Sequence, residues 1–319
     1  MKRSLYLISL ICGLCLLQAP TAVRGEAPPL PVLQEQSPLH IESESFPLDD
    51  FSKRRKPRRK PADTVDITGW RYGLNIGSYF ANPHSAGFYS GRPENENTIN
   101  YIIRNKYRYD ELRRLINFSD TFFLREYPSR MTYDPAVLVG FIAKYNFTNQ
   151  LGFFFQFNYV KLKSTDFFTA EVDPMQFLTE PDIRLYGIVG VEERVNVEMG
   201  LSRYIALGPK TNLFLEGGLN INDSEVRSHE IQIEGQTYDL VNVYGSQNYV
   251  PNTSLQTFEL KQGGIGFGAF FTAGVQLIFN ENISLDPGIS LWWKRINLVG
   301  YDAYTPHWAI SVRFLLKDL

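Results

Sequence analysis

The chain of 319 residues is poor in the residue types that most often carry chemistry. It has two cysteines, Cys12 and Cys15, and four histidines, His40, His84, His229 and His307. The net charge is −2, so there is no overall basic footprint for nucleic acid. Mean hydropathy is −0.21, and beyond the N-terminus no stretch approaches the ~20 apolar residues of a membrane helix. Both cysteines lie in the apolar run Leu5 to Leu17, which follows Lys2 and Arg3. That run is too short to span a bilayer and reads as a secretory signal, expected over residues 1–25. Neither cysteine follows the small residue that lipidation would want. The processed chain would hold no cysteine, which excludes disulfide scaffolds and thiolate metal sites.

Apolar periodicity is also lacking over residues 26–65, where seven prolines occur. This segment is expected to be an extended linker. Within it Lys53, Arg54, Arg55, Lys56, Arg58, Arg59 and Lys60 place seven positive charges in eight residues. Such a run either solvates a spacer or attracts anionic lipid or cell-wall polymer.

What the remainder, 66–319, has in quantity is alternation. From Gly263, Ile265, Phe267, Ala269, Phe271, Ala273, Val275, Leu277 and Phe279 alternate with Gly266, Gly268, Phe270, Thr272, Gly274 and Gln276. After Asn280-Glu281-Asn282, Ile283, Leu285, Ile289, Leu291 and Trp293 alternate with Ser284, Asp286, Gly288 and Ser290. Successive side chains of a strand point to opposite faces, so this is a hairpin with one apolar face. Its arms exceed the ~5–6 residues usual in soluble domains and suit the ~9–11 needed to cross a bilayer at a tilt. Further alternating segments fall at about 69–81, 133–147, 151–164, 187–206, 211–224 and 305–316. With the hairpin they make eight. The connections after the second, fourth and sixth are short, whereas those after the first, third and fifth are long. An all-β, eight-stranded antiparallel transmembrane barrel has this plan, with both termini at the short-turn, periplasmic end.

The polar face would then line the lumen. It carries Arg71, Lys144, Arg194 and Arg313 against Glu192, Glu198, Glu216 and Asp286, four charges of each sign. Eight strands leave an interior just wide enough for side chains, so these should pair as a network. Trp292, Trp293, Tyr301, Tyr304 and Trp308 are expected as an interfacial aromatic girdle. In the first long loop, Ile99, Ile102, Ile103, Leu112, Leu115 and Ile116 predict a helix from Thr98 to Phe118. It caps the barrel mouth, meets a partner or simply packs on its own loops. Phe122-Phe123 and Phe167-Phe168 are either a contact patch or a small core under the loops. Ile231, Ile233 and Tyr238 suggest that strands continue beyond the membrane.

Ser228-His229-Glu230 offers the residue types of a triad, but sequence neighbours on a strand face opposite ways. Metal-ligand spacing is missing as well. No cofactor is expected and no catalytic residue is assigned. The fitting roles are a non-enzymatic structural or accessory binding component of the envelope, then a narrow solute or ion channel, then a rim-located lipid hydrolase.

Val139-Gly140-Phe141, Tyr145-Asn146-Phe147-Thr148-Asn149, Gln156-Phe157-Asn158-Tyr159, Gly73 to Ile76 and Ile310 to Phe314 carry a resemblance to the Bacteroidetes-type outer-membrane β-barrel, or porin-family, proteins. The resemblance covers about residues 69–317 and implies an eight-stranded outer-membrane barrel and little about activity. Asp63-Thr64-Val65 similarly resembles the O-glycosylation sequon of secreted proteins from that group. The chain departs from the family by ending on Leu315-Leu316-Lys317-Asp318-Leu319 instead of an aromatic residue. The basic linker and the first-loop helix are also additions.

Overall fold

The computed structural model describes residues 65–116, 121–172, 180, 182–241 and 262–317, all within one compact unit. The expected signal, both cysteines, the basic run and Asp63-Thr64 lie outside the described residues, as do Asn117 and Phe118 of the expected helix. Ten strands are present among them: β1 (Gly69–Phe80), β2 (Phe122–Glu126), β3 (Ala136–Asn146), β4 (Leu151–Val172), β5 (Asp182–Gly208), β6 (Thr211–Ile233), β7 (Gln236–Asp239), β8 (Gly263–Ile278), β9 (Ile283–Arg295) and β10 (Tyr304–Lys317). Eight of them close a ring of antiparallel neighbours in the order β1, β3, β4, β5, β6, β8, β9, β10, with β10 returning to β1. β2 and β7 stand outside the ring, added to the far ends of β4 and β6.

The registers fix the size of the ring. Starting at Gly69, successive partners are Asn146, Gly152, Ser202, Glu216, Thr272, Ser290, Ala309 and then Tyr79. One circuit therefore advances ten residues along β1. With ~3.3 Å rise per residue and ~4.8 Å between strands, that stagger tilts the strands by roughly 40°. The three tight connections, 147–150, 209–210 and 279–282, share one end with the start of β1 and the end of β10. This is the turn end. The opposite, loop end carries the long connections.

Side chains alternate between the two faces as the pleat requires. Outward positions of β4 run Leu151, Phe153, Phe155, Phe157 and Tyr159, and those of β10 run Trp308, Ile310, Val312 and Phe314. Leu74, Val139, Leu201, Leu219, Phe267 and Ile289 continue the belt round the ring. The first charges met on the outer face are Lys161 on β4, Glu193 and Arg203 on β5, Asp223 on β6 and Arg295 on β9. Between them lies an uncharged band roughly 20–25 Å tall, the height of a barrel's lipid face. Facing water, such a surface would strand about half of every strand's apolar area in solvent; facing acyl chains, it costs nothing.

Beyond the band, β4, β5 and β6 run on as a wall that outlasts the expected strands, whose limits at this end were 164, 187 and 224. The wall joins β2 and β7 and encloses its own apolar core. The predicted single helix is two, α1 (Asn100–Ile103) and α2 (Lys106–Leu115), broken at Arg104-Asn105. Ile99, Ile102, Ile103, Leu112 and Ile116 are buried with Phe168, Tyr186, Ile188, Ile231 and Ile233. The helix pair is thus the lining of a dome. The β6–β7 reversal is a two-residue turn with positive φ at both Glu234 (48°) and Gly235 (81°), the geometry that matches strand twist and favours glycine.

An arginine at Ile289, in the middle of the outward band, should cost about 2–4 kcal/mol of folding stability in lipid, while one at Thr165 on the dome wall should cost under about 0.5. Urea unfolding of vesicle-inserted protein measures both. Equal effects would mean that the band does not face lipid.

Candidate functional site

The inward face gathers charge in three tiers. In the lowest, Glu216 of β6 accepts from Lys144 Nζ of β3 at 2.6 Å, from Arg313 Nη1 of β10, and from Ser202 Oγ at 3.1 Å. Lys144 also reaches Asp286 of β9 at 3.4 Å. These strands stand on opposite sides of the ring, so the side chains meet across the axis. The buried rings of Phe154 and Phe214 pack against this cluster, each beside a cation: Lys144 is 5.1 Å from the Phe214 centroid and Arg313 is 5.9 Å from that of Phe154. Gly274 makes room for this, since a Cβ there would lie 2.4 Å from Phe214 Cζ.

In the middle tier, Glu198 of β5 accepts from Trp292 Nε1 of β9 at 2.8 Å, and Asn158 and Asn220 each donate to it at 3.4 Å. Lys294 of β9 donates to Asn196 of β5. Asn75 donates to Asn158 at 2.9 Å. In the upper tier Arg194 Nε donates to Glu192 at 2.6 Å, and the hydroxyls of Tyr133 and Tyr89 donate to the same carboxylate at 2.7 and 3.2 Å. Arg194 Nη2 also donates to Ser85 Oγ at 3.0 Å. Ser85 and Tyr89 belong to the first loop, so the loop itself is bonded into the outer end of the lumen. A Cβ at Gly190 would sit 2.2 Å from the Tyr89 ring, and its absence lets the ring lie on β5.

Arg71, Lys144, Glu192, Arg194, Glu198, Glu216, Asp286 and Arg313 are all buried on the inward face. The structure brings seven of them into the tiers. Arg71 stands apart at the turn end, where it donates to the carbonyls of Ile67 at 3.4 Å and Glu281 at 3.0 Å. Lys294 joins the network although the sequence inventory omitted it. Its position continues the alternation Asp286, Gly288, Ser290, Trp292, so the parity of β9 could have found it.

The expected girdle divides. Trp293, Tyr304 and Trp308 face outward and are exposed. Trp292 does not belong there: it follows the lumen parity of β9 and is 2% exposed. Tyr301 does not either. It lies in the loop before β10, donates to Asn95 Oδ1 at 2.9 Å and packs on Phe88. A second group of outward aromatics, Trp70, Tyr72 and Tyr145, occupies the turn end, Trp70 stacking on Tyr72 at 5.8 Å. The phenylalanine pairs split as strand neighbours must: Phe122 and Phe168 are buried, Phe123 and Phe167 exposed.

His229 lies beyond the lipid band on the extension of β6, which bulges at Arg227, where Val191 and Glu192 pair with Ser228 and Val226. The extra residue switches the inward parity of β6 and turns His229 into the dome. Its Nε2 contacts the Tyr89 carbonyl at 3.0 Å, and the side chain is fully buried. Burial holds the imidazole down at about 4, the contact with Tyr89 opposing this only in part.

Two outcomes are expected. Glu216→Ala leaves Lys144 and Arg313 with Asp286 alone and should destabilise the barrel by about 3–5 kcal/mol in denaturant titrations, much of it recovered when Arg313 is also replaced by methionine, which leaves the neutral Lys144–Asp286 pair. For His229, the unfolded chain takes up a proton near pH 6.5 and the folded dome only near 4, so stability should fall as pH drops across that window and level off below it. Near-UV circular dichroism melts of wild type and His229→Phe should diverge there, by up to about 3 kcal/mol at the acid end.

No family model matches the chain, and no curated protein matches it. Among solved structures it is similar to Neisserial surface protein A, with 8% identity and a TM-score of 0.38 over 78% of this chain and 96% of that one. It is similar to the outer membrane protein OprG from Pseudomonas aeruginosa, with 9% identity and a TM-score of 0.36 over 80% and 99%. It is also similar to Ail, the attachment invasion locus protein of Yersinia pestis, with 11% identity and a TM-score of 0.30 over 78% and 100%. At such identities the architecture of this chain rests on its own ring, belt and lumen.

Proposed function

We propose that the chain is a non-conducting, non-enzymatic outer-membrane barrel that acts as a structural or accessory binding component of the cell envelope. The observation that carries this reading is the lower tier of the lumen, where Lys144, Glu216 and Arg313 meet from opposite walls between the rings of Phe154 and Phe214. An ion would have to displace a neutralised, fully buried cluster to pass. In this reading the loop end is external, and the turn end, with the basic linker and C-terminus, is periplasmic. Lys53 to Lys60 would there meet anionic lipid or cell-wall polymer.

The binding role is supported by the dome wall. Phe123, Phe167, Ile183 and Leu185 are 49–62% exposed on the outer face of β2, β4 and β5. The registers put Phe123 and Ile183 on either side of Glu171, and Leu185 one row from Phe167. They lie above the charged positions Lys161, Lys163 and Glu193, hence beyond the lipid band, where a clustered apolar surface marks a protein contact. Ser228 and Glu230 flank His229, whose ring is engaged by the Tyr89 carbonyl within the dome.

Planar-bilayer recordings of purified protein should show no steady ohmic openings, and reproducible ones would replace this reading by the channel. Partners that copurify from native membranes should be depleted several-fold by Phe167→Glu with Leu185→Glu, in a protein that still shows heat-modifiable migration. Undiminished recovery would remove the dome wall as the binding face.

A further inference from the structure

Residues 65–68 precede β1 and take part in no strand ladder. They nevertheless fill the turn-end mouth. Ile67 is fully buried against Tyr204, Phe214 and Ile278, and Val65 packs beside it. The main chain of Ile67 is read on both sides: its N–H donates to Asn149 Oδ1 at 2.9 Å, and its carbonyl accepts from Asn146 Nδ2 at 2.8 Å and Arg71 Nε at 3.4 Å. The Val65 N–H donates to the Pro209 carbonyl at 3.5 Å, and Arg71 Nη2 ties the same site to Glu281. All three turns of this end are therefore bonded to the segment, directly or through Arg71. An apolar hole for one side chain, flanked by groups that read its main-chain N–H and C=O, is the chemistry of a site for an extended peptide.

The junction with β1 is built to bend. Asp66 accepts from the Thr68 N–H and hydroxyl, both at 3.0 Å, which curls the chain out of the mouth. Gly69 follows with φ +95°, a conformation that side-chain-bearing residues rarely adopt, although a Cβ there would find its nearest atom 4.0 Å away. The segment is hinged at a glycine and held by one fully buried side chain and four main-chain hydrogen bonds, whereas β1 beyond it is laddered on both edges.

We propose that the turn-end mouth is a docking site for an extended aliphatic segment, occupied in cis by Val65–Thr68, and that this segment is a releasable latch. When latched, it seals the lower lumen. When withdrawn by the chain that precedes it, it uncovers a basin lined by Tyr204, Phe214, Ile278 and Arg71. The latch would act alike whichever side of the membrane the turn end faces, and whether or not the barrel conducts.

The test uses the full chain carrying Ser284→Cys. Ser284 is inward, fully buried and paired with Ile278 beside the site. Its modification by a water-soluble maleimide in detergent micelles, assigned to residue 284 by peptide mass, should be slow when Ile67 is present. Ile67→Asp should speed it about tenfold or more, Gly69→Ala and Asn149→Ala by smaller factors, and Ile67→Val hardly at all. Each variant is scored only in the heat-modifiable, folded band. If Ile67→Asp fails to fold, Ile67→Ala supplies the same comparison. Labelling that is equally fast with and without the Ile67 side chain overturns the latch, as does labelling that stays slow when that side chain is lost.

Discussion

A closed ring of strands in lipid has one place to put charge, and that constraint organises the molecule. Each strand of the ring pairs with a neighbour on both sides, so no edge is left open, and the outward positions within the belt are uncharged. The ten-residue stagger sets a backbone radius of roughly 8 Å. At that radius a lysine or arginine from one wall reaches the carboxylate of the opposite wall. Inward charges cannot then be independent of one another. Glu216 meets this demand by taking two cations at once, while Asp286 shares Lys144. The neutrality of the cluster matters more than any single bond, since an uncompensated charge in this volume has little water to turn to.

The same strands serve two solvents. Along β4 the outward residues change from Phe157 and Tyr159 to Lys161 and Lys163 without a break in hydrogen bonding. The inward residues change as well, from the paired charges of the lumen to the apolar side chains that line the dome. The dome therefore needs no separate fold. It is the upper half of three barrel strands, lined by the first loop and completed by β2 and β7. The bulge at Arg227 belongs to this transition: by inserting one residue it swings His229, Ile231 and Ile233 inward where strict alternation from Val226 would have shown them to solvent.

Much of this was legible from alternation. Period-two patterning separates lumen from belt for Arg71, Lys144, Glu198 and Arg313 because the strands are regular there. The long and short connections order the strands because a barrel turns tightly at one end only. Three things were not legible. Strand lengths were underestimated because Lys161, Lys163 and Glu193 interrupt the outward apolar run at the top of the belt, while pairing continues beyond them. The inward parity of Trp292 was masked by its neighbour Trp293, an adjacent aromatic pair that reads equally well as a girdle. The role of Ile67 was hidden because it lies outside any strand and carries no periodic signal. It is recognisable only once Tyr204, Phe214 and Ile278 are seen to leave a space for it.

The two mouths are closed by unequal means, and the difference follows from local structure. At the loop end, Ser85 and Tyr89 are anchored in the upper tier, and behind them lies a core of more than a dozen buried apolar residues from helices, wall and loops. Displacing that cap would expose the whole core at once, a cooperative loss. At the turn end, closure depends on one isoleucine and a few bonds to turn side chains and carbonyls, next to a glycine that can pivot. Local opening samples the least cooperative elements first. On this comparison, local opening is expected at the turn end before the dome.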